Sequence, residues 1–316
     1  MHYIGMTSLL GEVQALATGR YIVAVSGGVD SMVLLHMLLQ LPHLQLVVVH
    51  VNHGIRTDAE RDEALVAAFC ASHNIKYVAT RLNLGPRVSE ADARYARYAF
   101  LQHCRIEYNA VAIITAHHQN DVCETALLNV MRGTSWRGIA PFVTNEQLKR
   151  PLVNVPKDAL VAYAQYHKVP WREDSTNAQS DYTRNYIRNI IMPIFNAKSL
   201  SWQTIFLRQV RNQRALRRKI EAELSKALTL LTRTQKHRIF AKRYDWIMLP
   251  ETVRYELFQT LCRHHINGSL TQAQAAAACV FIRTARAGKY MPLNKMWQLR
   301  VTRQEFVVEL AFGMVK

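Results

Sequence analysis

The chain runs to 316 residues, 49% of them hydrophobic, with 40 Lys and Arg against 23 Asp and Glu and a formal charge of +17. This is an ordinary globular composition, long enough to bury a sizeable core in two or more domains, and no stretch approaches the apolar length of a membrane span. The N-terminal Met1-His2-Tyr3-Ile4 carries no charged-then-apolar signal, so a cytoplasmic location is expected, and the positive balance makes nucleic acid the leading partner, although charge alone confers no specificity.

In chain order, Tyr21-Ile22-Val23-Ala24-Val25 is a β-branched run that empties into Ser26-Gly27-Gly28-Val29-Asp30-Ser31. Met32-Val33-Leu34-Leu35 then continues with a helical apolar pattern. A strand, a glycine pair and a helix start make a phosphate cradle. Glycines admit close backbone approach, the Ser26 and Ser31 hydroxyls can donate, and the helix N-terminus presents unpaired N–H groups. The loop has no lysine, which separates it from the G-x-x-x-x-G-K-[ST] nucleotide loop, whose lysine reaches the terminal phosphates. Asp30 beside an anion makes sense only with a cation such as Mg²⁺ between them. The plain alternative is a strand-to-helix turn built of small residues.

Further strands are expected at Leu44–Val51, Lys76–Leu82 and Ala110–Ala116, and helices near Ser31–Leu41, Asp58–His73 and Glu90–Arg105. This alternation predicts an α/β fold, a doubly wound, mostly parallel sheet with its ligand site at the C-terminal strand ends. Residues 201–243 then carry twelve Lys or Arg against two Glu, while Phe206, Val210, Ile220, Leu224, Leu228 and Leu231 recur near helical spacing. A long basic amphipathic helix is expected, with Arg208, Arg211, Arg214 and Arg218 on one face, either solvated or touching RNA. Residues 250–285 read as helices, and Met296–Thr302 with Glu305–Ala311 as a hairpin around Arg303-Gln304. The expected division is a catalytic domain over 1–200, a linker helix over 201–232 and a small α+β domain over 233–316. Cys70, Cys104, Cys123, Cys262 and Cys279 are scattered without a C-x-x-C pair. They suggest neither disulfides nor a zinc or iron–sulfur site, and read as buried small hydrophobes.

Three segments besides the loop carry chemistry. His50-Val51-Asn52-His53-Gly54-Ile55-Arg56 brings polar rings and a cation to a strand end, where His and Asn can read a purine edge or ribose and Arg56 can meet phosphate. Zinc is the rival for those histidines, but no sulfur or carboxylate completes a ligand set. Ser89-Glu90-Ala91-Asp92-Ala93-Arg94-Tyr95-Ala96-Arg97-Tyr98 opens a helix at a good N-cap. Arg94, Arg97 and Tyr98 lie three to four residues apart, suited to a splayed-out base or else to a solvated arginine face. His117-His118-Gln119-Asn120-Asp121-Val122-Cys123-Glu124-Thr125 sets Asp121 and Glu124 one turn apart, where they can bind an amine or favour the helix dipole. Arg132-Gly133-Thr134-Ser135 follows.

These blocks, together with R-P-L at Arg150–Leu152, W-R-E-D-S-T-N at Trp171–Asn177 and R-N-Y-I-R at Arg184–Arg188, occur in the order typical of another group. The S-G-G-x-D-S string resembles the PP-loop of ATP pyrophosphatases, and the whole series resembles the tRNA(Ile)-lysidine synthetases. The resemblance implies an adenine nucleotide α-hydrolase-like fold and a two-step reaction on the wobble cytidine of a CAU anticodon. ATP adenylates the C2 oxygen, and free lysine then displaces AMP. It implies that Ser26, Gly27, Gly28, Val29, Asp30 and Ser31 hold pyrophosphate, with Asp30 on Mg²⁺, and that His50 and Asn52 lie near the nucleoside. Asp121 and Glu124 would hold lysine, while Arg94, Arg97, Arg132, Asn185 and Arg188 would surround the cytidine and its activated oxygen. The partners it implies are tRNA(Ile) and free L-lysine, with no membrane, and it admits a homodimer.

One residue departs from the pattern. Family members usually have two adjacent aspartates after the paired histidines, where this chain has Asn120 before Asp121. Either metal affinity is weaker, or the position caps the helix and asparagine serves equally well. Ending at Lys316, the chain is also expected to lack the extra C-terminal domain of longer members. Related PP-loop thiolation enzymes use paired cysteines that this chain lacks. A catalytically silent RNA-binding protein is the alternative from another class, and the presence of Asp30, Asp121, Glu124 and the loop serines argues against it.

Overall fold

The computed structural model describes residues 11–52, 59–82, 88, 90–142, 146–173, 183–236, 238–266 and 270–311. His53, Gly54, Ile55 and Arg56, the expected cap Ser89, and Asp174–Asn177 of the tryptophan block lie outside the described residues. The chain divides into two compact units, Met1–Arg214 and Ala215–Lys316.

The first unit alternates strand and helix: β1 (Gly19–Ala24), α1 (Val29–Leu39), β2 (Leu44–Asn52), α2 (Ala59–Ser72), β3 (Lys76–Arg81), α3 (Glu90–Glu107), β4 (Ala112–Ile114), α4 (Gln119–Met131), β5 (Leu148–Lys149) and α5 (Lys157–Tyr166). The sheet order is β3-β2-β1-β4-β5, with every neighbouring pair parallel. Consecutive residues Tyr21, Ile22 and Val23 of β1 are all buried, because helices cover both faces of the sheet. Val23 and Val48 pack with Met32 and Leu35 of α1, Val66 of α2 and Leu160 of α5. On the other face, Ile22, Val47 and Ile113 pack against Leu101 and Cys104 of α3.

The chain leaves β1 toward β2 and returns to the other side of β1 as β4. This reversal opens a crevice beyond the carboxyl ends of β1 and β4. The expected fold class therefore stands, with two differences in detail. β4 begins only at Ala112, because Asn109 takes a left-handed φ of 50° and Ala110 N–H still bonds Arg105 O. β5 was not expected: two residues are too few to show any alternation.

Beyond α5 come a short α6 (Thr183–Tyr186), a π-helical turn (Ile187–Ile191), α7 (Met192–Lys198) and the 30-residue α8 (Trp202–Leu231). The division between units falls inside α8, and the two parts of the helix have different partners. Leu207 and Val210 join a core with Val122, Cys123 and Ile187 in the first unit. Leu224, Leu228 and Leu231 join the core of the second. Of the four arginines expected on one face, Arg208, Arg211 and Arg218 are exposed, whereas Arg214 turns in and donates from Nε to Pro141 O at 3.0 Å.

The basic run to Arg243 is not all helix. Thr232–Gln235 (β6) and Arg238–Lys242 (β7) form a hairpin in which Ile239 and Ala241 alternate inward and Lys236 takes the turn at φ 53°. Then follow α9 (Arg243–Met248), α10 (Glu251–His265), α11 (Gln272–Thr284), β8 (Tyr290–Pro292), β9 (Trp297–Val301) and β10 (Glu305–Leu310). The five strands are antiparallel in the order β6-β7-β10-β9-β8, with the expected β9–β10 hairpin registered Phe306 opposite Val301. Helices cover one face, where Trp246 meets Phe306 edge-on at 5.0 Å. Among the described residues no helix is long and apolar enough to cross a membrane.

Within this unit Glu221 accepts from Arg217 Nε at 3.0 Å and from Arg263 Nη1 at 3.2 Å. Burial pushes its carboxyl up, but the two arginines prevail and hold it below the usual glutamate range. A lowered carboxyl stabilises the fold above its unfolded range and loses that contribution as pH falls through its folded value. Glu221→Gln should therefore cost about 0.5–1 kcal/mol at pH 7. Urea unfolding of both proteins from pH 7 to pH 3 should show the difference shrinking as the wild type becomes protonated.

Candidate active site

The loop after β1 is held in shape by its own hydroxyls. Ser31 Oγ accepts from Ser26 N–H at 3.1 Å, donates to Gly28 O at 2.9 Å and lies 3.2 Å from Ser26 Oγ. The Ser31 hydroxyl bonds within the loop, while Ser26 stays exposed. Gly27 sits at φ 92°, and a Cβ there would lie 3.3 Å from Asp62 Cβ, so an L side chain would be strained in both conformation and space. Gly28 caps α1 without a side chain, leaving the first turn's N–H groups without a side-chain acceptor. Val29 contributes backbone only, its side chain being buried.

The loop forms one wall of a cleft of about 410 Å³ at the sheet's switch point. His50 and Asn52, at the end of β2, are buried in the floor. His50 Nδ1 donates to Val25 O at 2.9 Å and so props the strand end beneath the loop. Asn52 Nδ2 makes a long contact of 3.5 Å to Glu63. Arg97, Tyr98, His117, Asp121 and Arg172 also line it. Arg172 joins Asp62 at 2.9 Å and donates its N–H to Gly27 O at 3.1 Å, clamping the loop from outside.

Charge converges on Asp30. Lys157 Nζ donates to both of its oxygens at 2.7 Å, and His118 Nε2 stands 3.6 Å from Asp30 Oδ2 and equally far from Asp121 Oδ2. Burial would push the Asp30 carboxyl up, but His118 and Lys157 hold it below the ordinary aspartate range. Burial would likewise lower His118, but Asp30 and Asp121 raise it.

His118 also caps α4. Its Nδ1 accepts from Asn120 N–H at 3.2 Å, and Asp121 Oδ2 accepts from His118 N–H at 3.0 Å, a reciprocal capping box. The capping role expected of Asn120 is therefore filled by His118. Asn120 Oδ1 instead accepts from Lys157 N–H at 3.4 Å. A magnesium ion commonly rests on one or two carboxylates and is completed by substrate phosphates. Asp30 beside the loop could provide that set, and the ammonium already on its two oxygens shows that the position favours positive charge. Among the described residues no three His, Cys, Asp or Glu form a closed metal cage.

The expected lysine pair is not symmetrical. Asp121 faces the cleft. Glu124 is 1% exposed and gripped bidentately by Arg188, Nε to Oε1 at 2.7 Å and Nη2 to Oε2 at 2.8 Å, with Arg184 Nε at 3.3 Å. An amine reaching Glu124 would have to displace two guanidinium groups. Arg184 and Lys157, unassigned from sequence, gain their places from this packing; R-N-Y-I-R held the only local signal for either, an arginine one helical turn before Arg188. Asn185, the residue after Arg184, is half-buried.

On α3, Arg94 lies 4.9 Å and Arg97 5.6 Å from the Tyr98 ring centre, the arginine–aromatic group expected there. His117 is held well below its ordinary value by burial and by Arg150, Arg94, Arg97 and Arg184, so its ring stays neutral. Its ring packs on Phe142 with centroids 4.5 Å apart and planes tilted by 36°. Arg132 is not gathered in: it is exposed at the C-cap of α4, 11 residues past Asp121 and about 16 Å along the helix.

The family described as the PP-loop domain matches residues 6–195. The chain is 36% identical over 252 residues to a tRNA(Ile)-lysidine synthase of Enterococcus faecalis, covering 75% of this chain and 53% of that one. It is 35% identical over 196 residues to the Histophilus somni protein of the same name, covering 59% and 45%. The chain thus spans about half the length of these relatives. The U34-tRNA thiolase NcsA from Methanococcus maripaludis, with its [4Fe-4S] cluster, shares the fold at TM-score 0.57 and 17% identity, over 67% of this chain and 79% of that one.

Removing either side of the buried clamp strands charge. Glu124→Leu should cost about 3 kcal/mol in urea unfolding, and Arg188→Leu a comparable amount. The double variant should lose clearly less than the sum, the coupling expected of a direct pair.

Proposed function

The chain belongs to the PP-loop domain family, and within that family we propose that it makes lysidine. ATP would adenylate the C2 oxygen of the wobble cytidine in the CAU anticodon of tRNA(Ile). Free lysine would then displace AMP, the whole reaction taking place in the cytoplasm. The observation that carries this reading is the position of Asp30 and Asp121 about one imidazole, each 3.6 Å from His118. A phosphate cradle and a carboxylate able to hold an amine are then two ends of one cleft. The identities of 36% and 35% to proteins named tRNA(Ile)-lysidine synthase support it.

The loop N–H groups and Ser26 hold the departing pyrophosphate, and Asp30 would hold Mg²⁺, which when bound would neutralise charge on the phosphates. Tyr98, with Arg94 and Arg97 against its ring, offers a stacking face for the flipped cytidine. Arg188 and Arg184 supply positive charge near the transferring phosphoryl group, and Glu124 positions them. Asp121 takes the ammonium group of lysine through a charge-assisted hydrogen bond. Arg132 is left outside the reaction centre.

A tRNA thiolation reading is disfavoured by the cysteines. All five are free, four are buried, and burial pushes Cys123 and Cys262 up to about 12 and Cys70 and Cys279 to about 11. None is poised as a thiolate at neutral pH.

The test is ATP-dependent incorporation of labelled lysine into a CAU-anticodon tRNA(Ile) transcript. Asp30→Ala should abolish adenylation, whereas Asp121→Ala should let adenylated tRNA accumulate and raise the lysine requirement about 10- to 100-fold. Wild-type protein that binds the tRNA and incorporates no lysine would overturn the reading in favour of a binding protein.

A further inference from the structure

The phosphate loop contains no lysine, yet the fold brings one to it. Lys157 lies 127 positions from Asp30 in sequence, at the first residue of α5, and places Nζ 2.7 Å from both Asp30 oxygens. Its backbone is fixed from two directions. Lys157 N–H bonds Asn120 Oδ1, and Val155 O accepts from Gln119 N–H at 2.9 Å, which pins the start of α5 to the start of α4. On the opposite side α5 packs on α1, where Leu160 and Tyr163 join the core around Met32 and Leu35.

The anchored backbone contrasts with the side chain. Lysine is a compact point charge on a flexible four-carbon arm, and here one-third of that side chain is exposed, as is about one-quarter of Asp30. An ammonium centred on both carboxylate oxygens takes the place that a divalent cation on Asp30 would take. Held there together the two cations would repel, so each weakens the other's hold on Asp30.

We propose that Lys157 is an exchangeable counter-ion and the phosphate-binding lysine that the loop itself lacks. It neutralises Asp30 before nucleotide binds, and when a metal-bound polyphosphate enters it releases Asp30 and joins the phosphate chain. This rests on the reading of the loop as a pyrophosphate and metal site. It goes further by giving an unassigned residue opposite effects on two ligands. A purely structural ion pair would not behave so: losing it would weaken both.

The test uses the full chain without tRNA or lysine. Mn²⁺ binding is followed by electron paramagnetic resonance without nucleotide, and inorganic pyrophosphate binding by calorimetry in saturating Mn²⁺. Lys157→Met should bind Mn²⁺ about tenfold more tightly than wild type and pyrophosphate about tenfold more weakly, each the removal of one charged contact. Lys157→Arg, which keeps the charge, should stay near wild type for Mn²⁺. Should Lys157→Met fail to fold by circular dichroism, Lys157→Gln replaces it with the same expectation. Unchanged or weaker Mn²⁺ binding overturns the proposal, as does unchanged pyrophosphate binding or an absence of Mn²⁺ binding in every protein. Lysine incorporation by wild type, measured in parallel, distinguishes such a failure from failure of the lysidine reading.

Discussion

Two carboxylates, Asp30 and Asp121, must stand together at the mouth of a parallel sheet, and the rest of the site is arranged around neutralising them. Uncompensated charges in a half-buried cleft would either take up protons or splay apart. Here His118 lies between them at 3.6 Å, Lys157 covers Asp30 and Arg188 reaches Asp121 at 3.8 Å. Lys157 of α5 and Arg188 of the π-helical turn are the cations, and His118 at the N-cap of α4 lies between the two acids, so three connections of the fold converge on one pair of carboxylates. Each joint is additionally fixed by backbone bonds, as where His118 caps α4 and Asn120 receives the N–H of Lys157. Order in the site is thus a consequence of charge balance as much as of apolar packing.

The same logic separates Glu124 from Asp121 although they occupy one helix face. Glu124 lies one turn deeper, where the core of Val122, Cys123 and Ile187 closes over it. A carboxylate at that depth is tolerated only when bidentate guanidinium contacts replace its water. Arg184 and Arg188, four residues apart across the junction of α6 and the π-helical turn, provide them. A π-helical turn at a point where side chains must be aimed is a common feature of functional sites. The arginines are thereby kept as an ordered pair beside the cleft, and Asp121 is left as the carboxylate facing it.

Much of this was legible beforehand. The β-branched runs at Tyr21–Val25 and Leu44–Val51 and the helical apolar pattern after Ser31 are local properties, and each emerged within about two residues of its expected limits. The S-G-G-V-D-S loop was readable because φ above zero at Gly27 and an open first turn after Gly28 need those residue types in that order. Elements made by partners were not readable. β5 exists because two residues pair with Ile113 and Ile114, and the β6–β7 hairpin begins where the linker helix was expected to end but was not foreseen as strands. Arg214 looked like its neighbours on a charged face, yet it turns inward and donates to the carbonyl of Pro141.

By itself, then, the sequence determined the alternating α/β order, the phosphate loop and the identity of the acids and arginines, since periodicity, glycine freedom and charge are carried within a few adjacent residues. Tertiary structure decided which of those charges meet. It buried Glu124 against two arginines, left Arg132 exposed at the far end of α4, made His118 rather than Asn120 the cap, and brought Lys157 across 127 positions to a loop with no lysine of its own. Pairing between distant side chains depends on how strands order themselves and how helices pack on them, and no local pattern encodes that distance.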